Sequence, residues 1–517
     1  MSLSLNLKAL AQRSPRLAAR LEAGGTPIAV ASLPWPELPE APLVMLVGAA
    51  TPAGVRAALD AGRKLWLWER SAPILRAFLE AVDVSDALKD GRLRLACDVD
   101  LLTLSLPPCT PIVAHPLLGP RYARELAFLG AAPQRRALIV EGGLMIEELC
   151  RSLTERGFAV WTWESARLPP AELTRIALAV RPEVVLAVNH QPGLPEAIEA
   201  LAAQLPGLSL KVWEVDPAID PVRPPATRVP RTTIYTYRRV QVVRFQSAGY
   251  RAEWLPLASD PDWRQPMVLT PAEHAEFDAP VVFVGRSMLI EAQAFRRDLL
   301  QRMRDARTAA GLDPAGAEAV LDQVVAAQRT ELGRFVVPEK LAALAPELGA
   351  FEAGIGRRSD PAMLAGEIAA AEHRLTVLAN LGRFGAQVWG DAGWKPVERY
   401  GVRYRGPAGH HQQLPRIYSN GGIQIDIGRL YQSDIVTLRV FDVLACGGFL
   451  ITPHTEDLPA LFRVGEELET YRTVAELCAK VEHYASRPDD RARIAAAGHA
   501  RVLSDHTVRQ RLERMLG

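Results

Sequence analysis

The chain has 517 residues, of which 49% are hydrophobic and 23% are charged, and its formal net charge is +1. This composition is typical of a soluble globular protein, and the length predicts about two to four domains. A net charge so close to zero gives no electrostatic reason to expect a nucleic acid or an anionic membrane surface as partner.

The first 25 residues have helical periodicity, and they lack the apolar centre and cleavage site of a signal peptide. No apolar stretch approaches the roughly 20 residues that span a bilayer. The five cysteines lie singly and form no CxxC pair, so we expect neither a zinc site nor a disulfide framework. We therefore expect a cytoplasmic protein.

Residues 1–127 are predicted to form an α/β unit of their own. Strand-like runs such as "PLVMLVGAA" and "RKLWLWER" alternate with helical runs such as "PAGVRAALDAG", which favours parallel strands. Glu69 ends a strand 21 residues after Gly48, about the distance of the ribose-binding acid in a dinucleotide fingerprint. The residues after Gly48 do not follow G-x-G-x-x-G. We expect a degenerate dinucleotide-like or methyltransferase-like domain with a structural or partner-binding role.

Residues 128–262 are predicted to form a second α/β unit with polar residues at its strand ends. His190 ends "EVVLAVNH" and Asp216 follows "VWEV". Ligands gather at the carboxyl ends of strands in open parallel sheets. His190 would orient an acceptor or donate a hydrogen bond there, or else bond a neighbouring carbonyl in a loop. Asp216 would face the same cleft, or only cap the turn before Pro217.

Residues 263–517 are predicted to form a third α/β unit with a helical insertion. "APVVFVGRSM" indicates a strand, a glycine and a helix, and residues 290–381 have an almost wholly helical pattern. The α/β pattern resumes at "AQVWGDAGW" and ends in one predicted helix, "DDRARIAAAGHARVLSDHTVRQRLERML". Two successive α/β units predict a cleft between sheets.

The stretch "SDIVTLRVFDVLACGGFLIT" carries the most chemistry in this third unit. Ser433 and Asp434 are predicted to cap a helix over residues 435–446 that Gly447 ends, and "FLIT" is predicted to be a buried strand. Asp442 lies eight residues after Asp434. The alternative interpretation of these charges is a capped helix with one solvated acid and one surface arginine.

The beginning of that predicted helix suits a phosphate. Thr437 lies in the first turn and Arg439 just behind it, where the helix N-terminus is positive. A carboxylate one or two turns deeper, at Asp442, would accept hydrogen bonds from ribose hydroxyls. Arg286, in "VGRS" after a strand, has a guanidinium fork that suits phosphate geometry, and the alternative interpretation is a surface salt bridge.

Several motifs resemble the CgeB-like glycosyltransferases, of the group 1 type with the GT-B architecture of two facing Rossmann-like domains. "TLRVFDVLACGGFLIT" and the residues after it look like the C-terminal segment of that family. "FVGRS", "VWGDAGW", "LPRIYSNGGIQIDIG" and, more loosely, "VNHQPGLPEA" and "KVWEVDP" occur in the matching order. The resemblance covers roughly residues 135–517, and residues 1–127 would be an additional Rossmann-like domain.

The resemblance implies roles for these residues. The family carries two glutamates separated by seven residues, and Asp442 falls on the later, ribose-binding position and Asp434 on the earlier, sugar-facing one. Both are aspartates here, which shortens each side chain by one methylene. The residues that the resemblance implies at the site are catalytic His190 and Asp434, with Asp216, Gly285, Arg286, Thr437, Arg439, Asp442 and Gly447 binding substrate.

The implied function is transfer of a sugar from a nucleotide sugar, UDP- or GDP-linked, to a protein or glycan acceptor. The resemblance implies a retaining enzyme that uses no metal and no further cofactor, and surface polysaccharide or protein glycosylation in bacteria. The last helix, Val508–Leu516, would cross back to the second unit. The alternatives are an inactive sugar-nucleotide-binding protein of the same fold and a bifunctional protein with an N-terminal methyltransferase-like domain.

Adjacent histidines at His410 and His411 do not predict a metal site, because neighbouring side chains in an extended segment point apart.

Overall fold

The computed structural model describes the chain except residues 1, 24, 31–32, 131–134, 142–143, 165–169, 190–193, 195–196, 198–199, 202–203, 217–231, 350–359 and 433. The chain divides into two compact units. The first unit comprises Met1–Val140, Arg156–Val185 and Ala200–Leu208, and the second comprises Glu141–Glu155, Leu186–Glu199 and Ser209–Gly517.

Helices and strands alternate along most of the chain. The α-helices are α1 Ser2–Ala11, α2 Pro15–Ala23, α3 Pro52–Asp60, α4 Ala72–Ala81, α5 Ser85–Asp90, α6 Ala123–Gly130, α7 Ile146–Glu155, α8 Pro170–Val180, α9 Arg239–Ser247, α10 Pro271–Phe277, α11 Leu289–Ala309, α12 Ala317–Thr330, α13 Val337–Leu344, α14 Pro361–Leu381, α15 Leu414–Tyr418, α16 Leu438–Ala445, α17 Val474–Ala485, α18 Pro488–Asp505 and α19 Val508–Leu516. The strands are β1 Val44–Val47, β2 Leu65–Glu69, β3 Leu93–Cys97, β4 Ile112–Ala114, β5 Arg135–Glu141, β6 Phe158–Glu164, β7 Val184–Val188, β8 Ser209–Glu214, β9 Thr232–Thr236, β10 Arg251–Trp254, β11 Val281–Val284, β12 Ala386–Trp389, β13 Arg403–Tyr404, β14 Ile423–Ile425, β15 Phe449–Pro453 and β16 Glu469–Tyr471.

A four-stranded sheet with the order β3-β2-β1-β4 lies in the first unit, and its strand pairs are parallel. Helices α1 to α5 pack their apolar residues on it. The buried side chain of Asn6 ties α1 to the segment that follows α4, since its amide donates to the carbonyls of Leu79 (2.8 Å) and Val82 (2.7 Å) and accepts from the N–H of Val84 (3.0 Å). A buried amide with all these partners fixes one arrangement of the two helices.

A second sheet has six strands in the order β10-β9-β8-β7-β5-β6. Strand β9 pairs in parallel with both β8 and β10. The five residues of β9, TTIYT, are all buried. Continuous burial along a strand is typical of a parallel sheet that is covered on both faces.

The third sheet lies in the second unit and has the order β13-β12-β11-β14-β15-β16, with all its strand pairs parallel. Between β11 and β12 the chain forms α11 to α14, whose apolar residues make a core of their own. Helix α14 is buried on most of its faces, and its buried residues include the charged side chains of Glu367 and Arg374. A helix that is apolar nearly all round has to pack inside the protein.

The predicted α/β fold class with parallel sheets is confirmed. The final segment was predicted as one helix and is two, α18 and α19, because the chain breaks at His506 and Thr507. Thr507 caps α19 with its side chain, accepting from the N–H of Gln510 and forming a capping box. Among the described helices, none is both long and apolar enough to cross a membrane.

Candidate functional site

The carboxyl ends of β11, β14 and β15 lie at one edge of the third sheet, because these strands are parallel neighbours. Gly285, Arg286 and Ser287 follow β11, Asp426 follows β14, and helix α16 leads into β15. The residues predicted from "VGRS" and from the beginning of α16 therefore belong to the same sheet edge.

Helix α16 begins later than predicted. Its N-cap is Thr437, in an extended conformation (φ −71°, ψ 159°), and Ile435 and Val436 before it are buried. These two β-branched residues lie before the first helical turn, with their side chains buried. Asp434 therefore lies outside the helix and does not cap it, and Ser433 lies outside the described residues.

Asp426 is the centre of a buried hydrogen-bond network that sequence reasoning missed. Its side chain is buried and accepts from Thr437 Oγ1 (2.8 Å), from Thr452 Oγ1 (3.0 Å) and from the Arg439 guanidinium. The network ties the beginning of α16 to the ends of β14 and β15. The available signal was a single acid directly after the apolar run "GIQI", at a strand end.

Arg439 points back under the strand ends. Besides its ion pair with Asp426, its Nε donates to the carbonyl of Val284 (2.8 Å), and its guanidinium carbon lies 4.8 Å from the centre of the Phe283 ring. Gly285 leaves the space for it, since a Cβ there would lie 2.8 Å from Arg439 Nη2. The lack of a side chain at Gly285 therefore leaves room for the Arg439 guanidinium.

The loop after β11 is held by a residue of the next strand end. Asp391 accepts from the backbone N–H of Ser287 (2.7 Å), from its hydroxyl (2.6 Å) and from the N–H of Gly393 (2.9 Å). Arg286 reaches outward from this loop, with 71% of its side chain exposed and an ion pair to Glu291. Its guanidinium is the exposed cation of this edge, while Arg439 is an internal one.

Asp442 lies in the middle of α16 and is buried. Its Oδ1 accepts from Ser259 Oγ (2.7 Å) and its Oδ2 from Arg264 Nε (3.1 Å). Burial by itself lowers the pKa of Arg264, but the charge of Asp442, its hydrogen bond and smaller contributions from Tyr418 and Cys446 together outweigh burial, so the pKa is raised. Neither Ser259 nor Arg264 belongs to a motif, so no sequence pattern pointed to them.

A pocket opens beside Asp442. Its lining combines Asp442 and Arg264 with Glu148, His410 and the indole of Trp263. Burial, followed by the charges of Asp260 and Asp442, raises the pKa of Glu148, and burial together with Arg264 lowers the pKa of His410. His411 packs edge-on against Trp263, with ring centres 4.4 Å apart. The pocket offers carboxylates for hydroxyl groups and ring surfaces for a planar group.

Asp434 is placed away from α16, in an ion pair with Arg238 whose Nε–Oδ2 distance is 2.9 Å. Burial lowers the pKa of Arg238, but the hydrogen bond to Asp434, the charge of Asp434 and smaller contributions from Tyr237 and Tyr431 together outweigh burial, so the pKa is raised. Asp216 is exposed and accepts from Asn189 Nδ2 (3.2 Å). His190 lies outside the described residues, so its predicted role stays a prediction.

Gly447 lies at the other end of α16 from Thr437 and Arg439. Its φ of +69° is left-handed, which ends the helix as predicted, and a Cβ there would lie 3.4 Å from the Pro266 ring. The structure therefore gathers Gly285, Arg286, Thr437 and Arg439 at one sheet edge, places Asp442 in the neighbouring pocket, and puts Gly447 outside both.

The last helix, α19, contacts other elements of the second unit, and its predicted crossing between two domains stays a prediction. Helix α19 packs on α7, and Arg511 donates to the carbonyls of Pro256 (2.9 Å) and Leu257 (3.1 Å). Ser259, whose hydroxyl donates to Asp442, forms an isolated parallel β-bridge with Thr507.

Among the described residues, no group of three or more histidine, cysteine or acidic side chains is arranged to hold a metal ion.

Comparison with known proteins gives one sequence match. Residues 357–517, less than half of the chain, match the family model described as "Glycosyl transferase-like". The matched region includes α16, Asp426 and the helix α19. A comparison with curated proteins found no match.

Solved structures give distant similarities. The chain is similar to a glycosyltransferase from Rickettsia africae (10% identity, TM-score 0.44, covering 74% of this chain and 97% of that one). It is also similar to sucrose-phosphate synthase from Thermosynechococcus elongatus (10%, 0.42, 74% and 97%) and to HepE from Anabaena in complex with UDP-glucose (11%, 0.41, 74% and 98%). At TM-scores below 0.5 we draw nothing from these similarities.

Proposed function

We propose that this protein transfers a sugar from a nucleotide-sugar donor to a protein or glycan acceptor. The observation that carries the proposal is the family match over residues 357–517, because that region contains the helix α16 whose first residues lie at the carboxyl edge of the third sheet. Helix N-termini at such edges bind phosphate groups.

The donor diphosphate would bind at the beginning of α16. Thr437 makes no side-chain capping bond there, so the first backbone N–H groups of the helix stay available to an anion. Arg286 is exposed and would leave Glu291 for the diphosphate, while Arg439 supplies fixed positive charge behind it. Both arginines would stabilise the leaving diphosphate as its charge develops.

The ribose would bind at Asp442. Each carboxylate oxygen of Asp442 accepts one hydrogen bond from the protein, and each has a second lone pair for a ribose hydroxyl. His410 and Trp263 line the same pocket and would offer ring surfaces to the base. A UDP- or GDP-linked donor fits this placement.

The finer features of the prediction belong to the same proposal. They are a CgeB-like enzyme of GT-B architecture with the domain bounds 1–127, 128–262 and 263–517, hexosyl transfer with retention of configuration, no metal or further cofactor, and a cytoplasmic site of action. Retention is tested by the anomeric configuration of the product in NMR spectra. Activity that survives a chelator supports the metal-free mechanism, and activity that is lost with the chelator contradicts it.

Binding of a nucleotide sugar without transfer is the second candidate function. The ion pairs of the two spaced acids favour it, since Arg238 holds Asp434 and Arg264 holds Asp442. An acid that is held by an arginine is less available to a sugar. Sugar transfer requires that Asp434 and Asp442, or residues next to them, remain accessible to the donor.

Nucleotide release from a panel of UDP-, GDP-, CMP- and dTDP-sugars separates the two candidates. We expect release with one class of donor, and its loss in Asp442→Asn, which keeps the size of the side chain and removes its charge. Asp489→Ala, at an exposed position on α18, is the matched control and should keep full activity. Tight donor binding without release would support the binding protein, and absence of binding would contradict both.

A further inference from the structure

Arg374 of α14 is a buried cation that bonds strand-end carbonyls. Its side chain is only 7% exposed, Nη1 donates to the carbonyl of Arg286 (2.5 Å), and Nη2 donates to that of Ile427 (3.2 Å). Among the described residues, its Nε has no hydrogen-bond partner. The two carbonyls belong to the segments after β11 and β14, so one side chain of the helical segment braces both.

Arg374 and Arg439 hold the same two segments from different helices. Their guanidinium carbons lie 5.9 Å and 4.8 Å from the centre of the Phe283 ring, and Arg439 bonds Val284 and Asp426 where Arg374 bonds Arg286 and Ile427. The loop that carries Arg286 is thus fixed by two arginines beneath it. A loop that is already ordered loses less conformational entropy when a ligand binds to it.

The charge of Arg374 is poorly compensated inside the protein. Burial, followed by the charges of Arg439 and Arg429, lowers its pKa to about 10, so it stays charged at neutral pH. Asp426 opposes this effect but does not outweigh it. Among the described residues, Arg374 forms no ion pair with a carboxylate. A buried charge of this kind is costly, and an anion near the strand ends would offset that cost.

We propose that Arg374 is a positioning residue for the donor diphosphate: it braces the backbone of residues 285–287 and 426–428 and adds buried positive charge beneath them. This inference rests on the proposed function, because it concerns the same phosphate-binding edge. Arg374 does not touch the ligand and acts through Arg286 and the loop backbone. The helical segment α11 to α14 thereby becomes part of the support of the site.

Hydrogen exchange tests the brace directly. In Arg374→Met, the amides of residues 285–288 and 426–430 should exchange about tenfold faster than in the wild-type protein, because their local opening costs less. Arg374→Lys keeps the positive charge but loses the forked guanidinium that bonds both carbonyls, so the amides of the two segments should exchange at intermediate rates. Arg383→Met, at an exposed position just after α14, is the matched control and should leave both segments unchanged.

Titration with UDP, GDP and the corresponding nucleosides tests the role of the charge. Arg374→Met should weaken diphosphate binding about tenfold and change nucleoside binding by less than about twofold, since only the diphosphate senses the buried charge. Arg374→Lys should recover part of the diphosphate affinity. A variant that only loosened the fold would weaken both ligands alike.

The outcomes separate the inference from the function on which it rests. If the wild-type protein binds UDP or GDP and Arg374→Met binds it equally well, the inference is overturned and the proposed function stands. If the wild-type protein binds neither, the proposed function fails, and the exchange rates alone decide whether Arg374 braces the two segments. If Arg374→Met does not fold, Arg374→Lys decides, and unchanged exchange in it would overturn the brace.

Discussion

Asp442 and Arg264 form a buried ion pair, with 9% and 5% of their side chains exposed. Two charges in such a place lose their hydration, and their attraction makes up for it only with good geometry and further bonds, which Ser259 supplies here. At the scale of single residues, the sequence predicted a binding role for Asp442 on α16, and that role stays a prediction. It did not predict Arg264 or Ser259, since both act from a distant, irregular stretch that has no periodicity to read.

Removing the acid should cost stability as well as function. We expect Asp442→Ala to lower the free energy of unfolding by about 3–5 kcal/mol, because Arg264 stays buried without its partner. Urea unfolding measures this loss. The double variant Asp442→Leu with Arg264→Met should regain most of the stability but no nucleotide affinity. Wild-type affinity in that double variant would show that Asp442 does not contact the nucleotide.

Gly285 should tolerate no side chain. A Cβ in Gly285→Ala would lie 2.8 Å from both Arg439 Nη2 and Phe283 Cζ, so one of them has to move. We expect a loss of about 1–3 kcal/mol in urea unfolding and weaker diphosphate binding. Gly207→Ala is the control, because a Cβ there meets nothing within 4 Å. Equal stability of the two variants would contradict the packing that we describe around Arg439.

At the scale of elements, α16 shows what a local pattern can and cannot fix. Its end at Gly447 and the strand β15 followed from glycine and apolar residues close by in the sequence. Its beginning did not, because Ile435 and Val436 are buried ahead of the N-cap Thr437, and the sequence does not show which residues the fold will bury. As a result the two spaced acids do not share one helix face, and Asp434 pairs with Arg238 instead.

The junction of α18 and α19 should make stability depend on pH. Buried His506 accepts from the Arg511 guanidinium at Nδ1 (2.8 Å), and its Nε2 lies 3.1 Å from the carbonyl of Leu461. Burial, followed by the charge of Arg511, lowers the pKa of His506 to about 4. The neutral form is therefore the folded one.

The sign of the effect follows from the two pKa values of His506. Above pH 6.5, the histidine is neutral in both states and the stability is complete. Between pH 6.5 and about 4, only the unfolded chain takes up the proton, so the free energy of unfolding falls, by roughly 3 kcal/mol in all.

Urea unfolding from pH 7 to pH 4 measures this loss. His506→Gln should reduce the fall in the free energy of unfolding between pH 7 and pH 4. Part of that fall should remain, because burial also lowers the pKa of His373 to about 4. His483→Gln, at an exposed position, is the control and should keep the wild-type slope. An unchanged slope in His506→Gln would contradict the assignment.

At the scale of the whole molecule, alternating strand and helix patterns were sufficient to predict parallel α/β sheets. The connections among distant segments were not predictable from them. Arg264 on Asp442, Arg374 on the strand-end loops and Arg511 on Pro256 join residues that lie far apart in sequence, and each is a single side chain in an otherwise ordinary stretch. The sequence predicts the sheet edge that carries the candidate site better than it predicts the side chains that support that edge.

The first unit should bind neither a dinucleotide nor S-adenosylmethionine. Glu69, at the position of a ribose-binding acid, is fully buried and accepts from the N–H of Ala49 (2.7 Å), from the N–H of Ser71 (2.8 Å) and from the Tyr122 hydroxyl. A Cβ at Gly48 would lie 2.9 Å from Leu118, so packing explains that glycine. Calorimetric titration with NAD and S-adenosylmethionine should give no saturable heat, and saturable heat with either would restore the dinucleotide or methyltransferase interpretation.

A crystal structure with bound UDP or GDP tests the central proposal most directly. We predict the diphosphate at the beginning of α16, within hydrogen-bond distance of Arg286 and of the first backbone N–H groups of the helix. The ribose hydroxyls should contact Asp442, and the base should lie beside His410. A nucleotide bound away from the carboxyl edge of the third sheet, or one that leaves both Arg286 and Asp442 without contact, would contradict the proposed site.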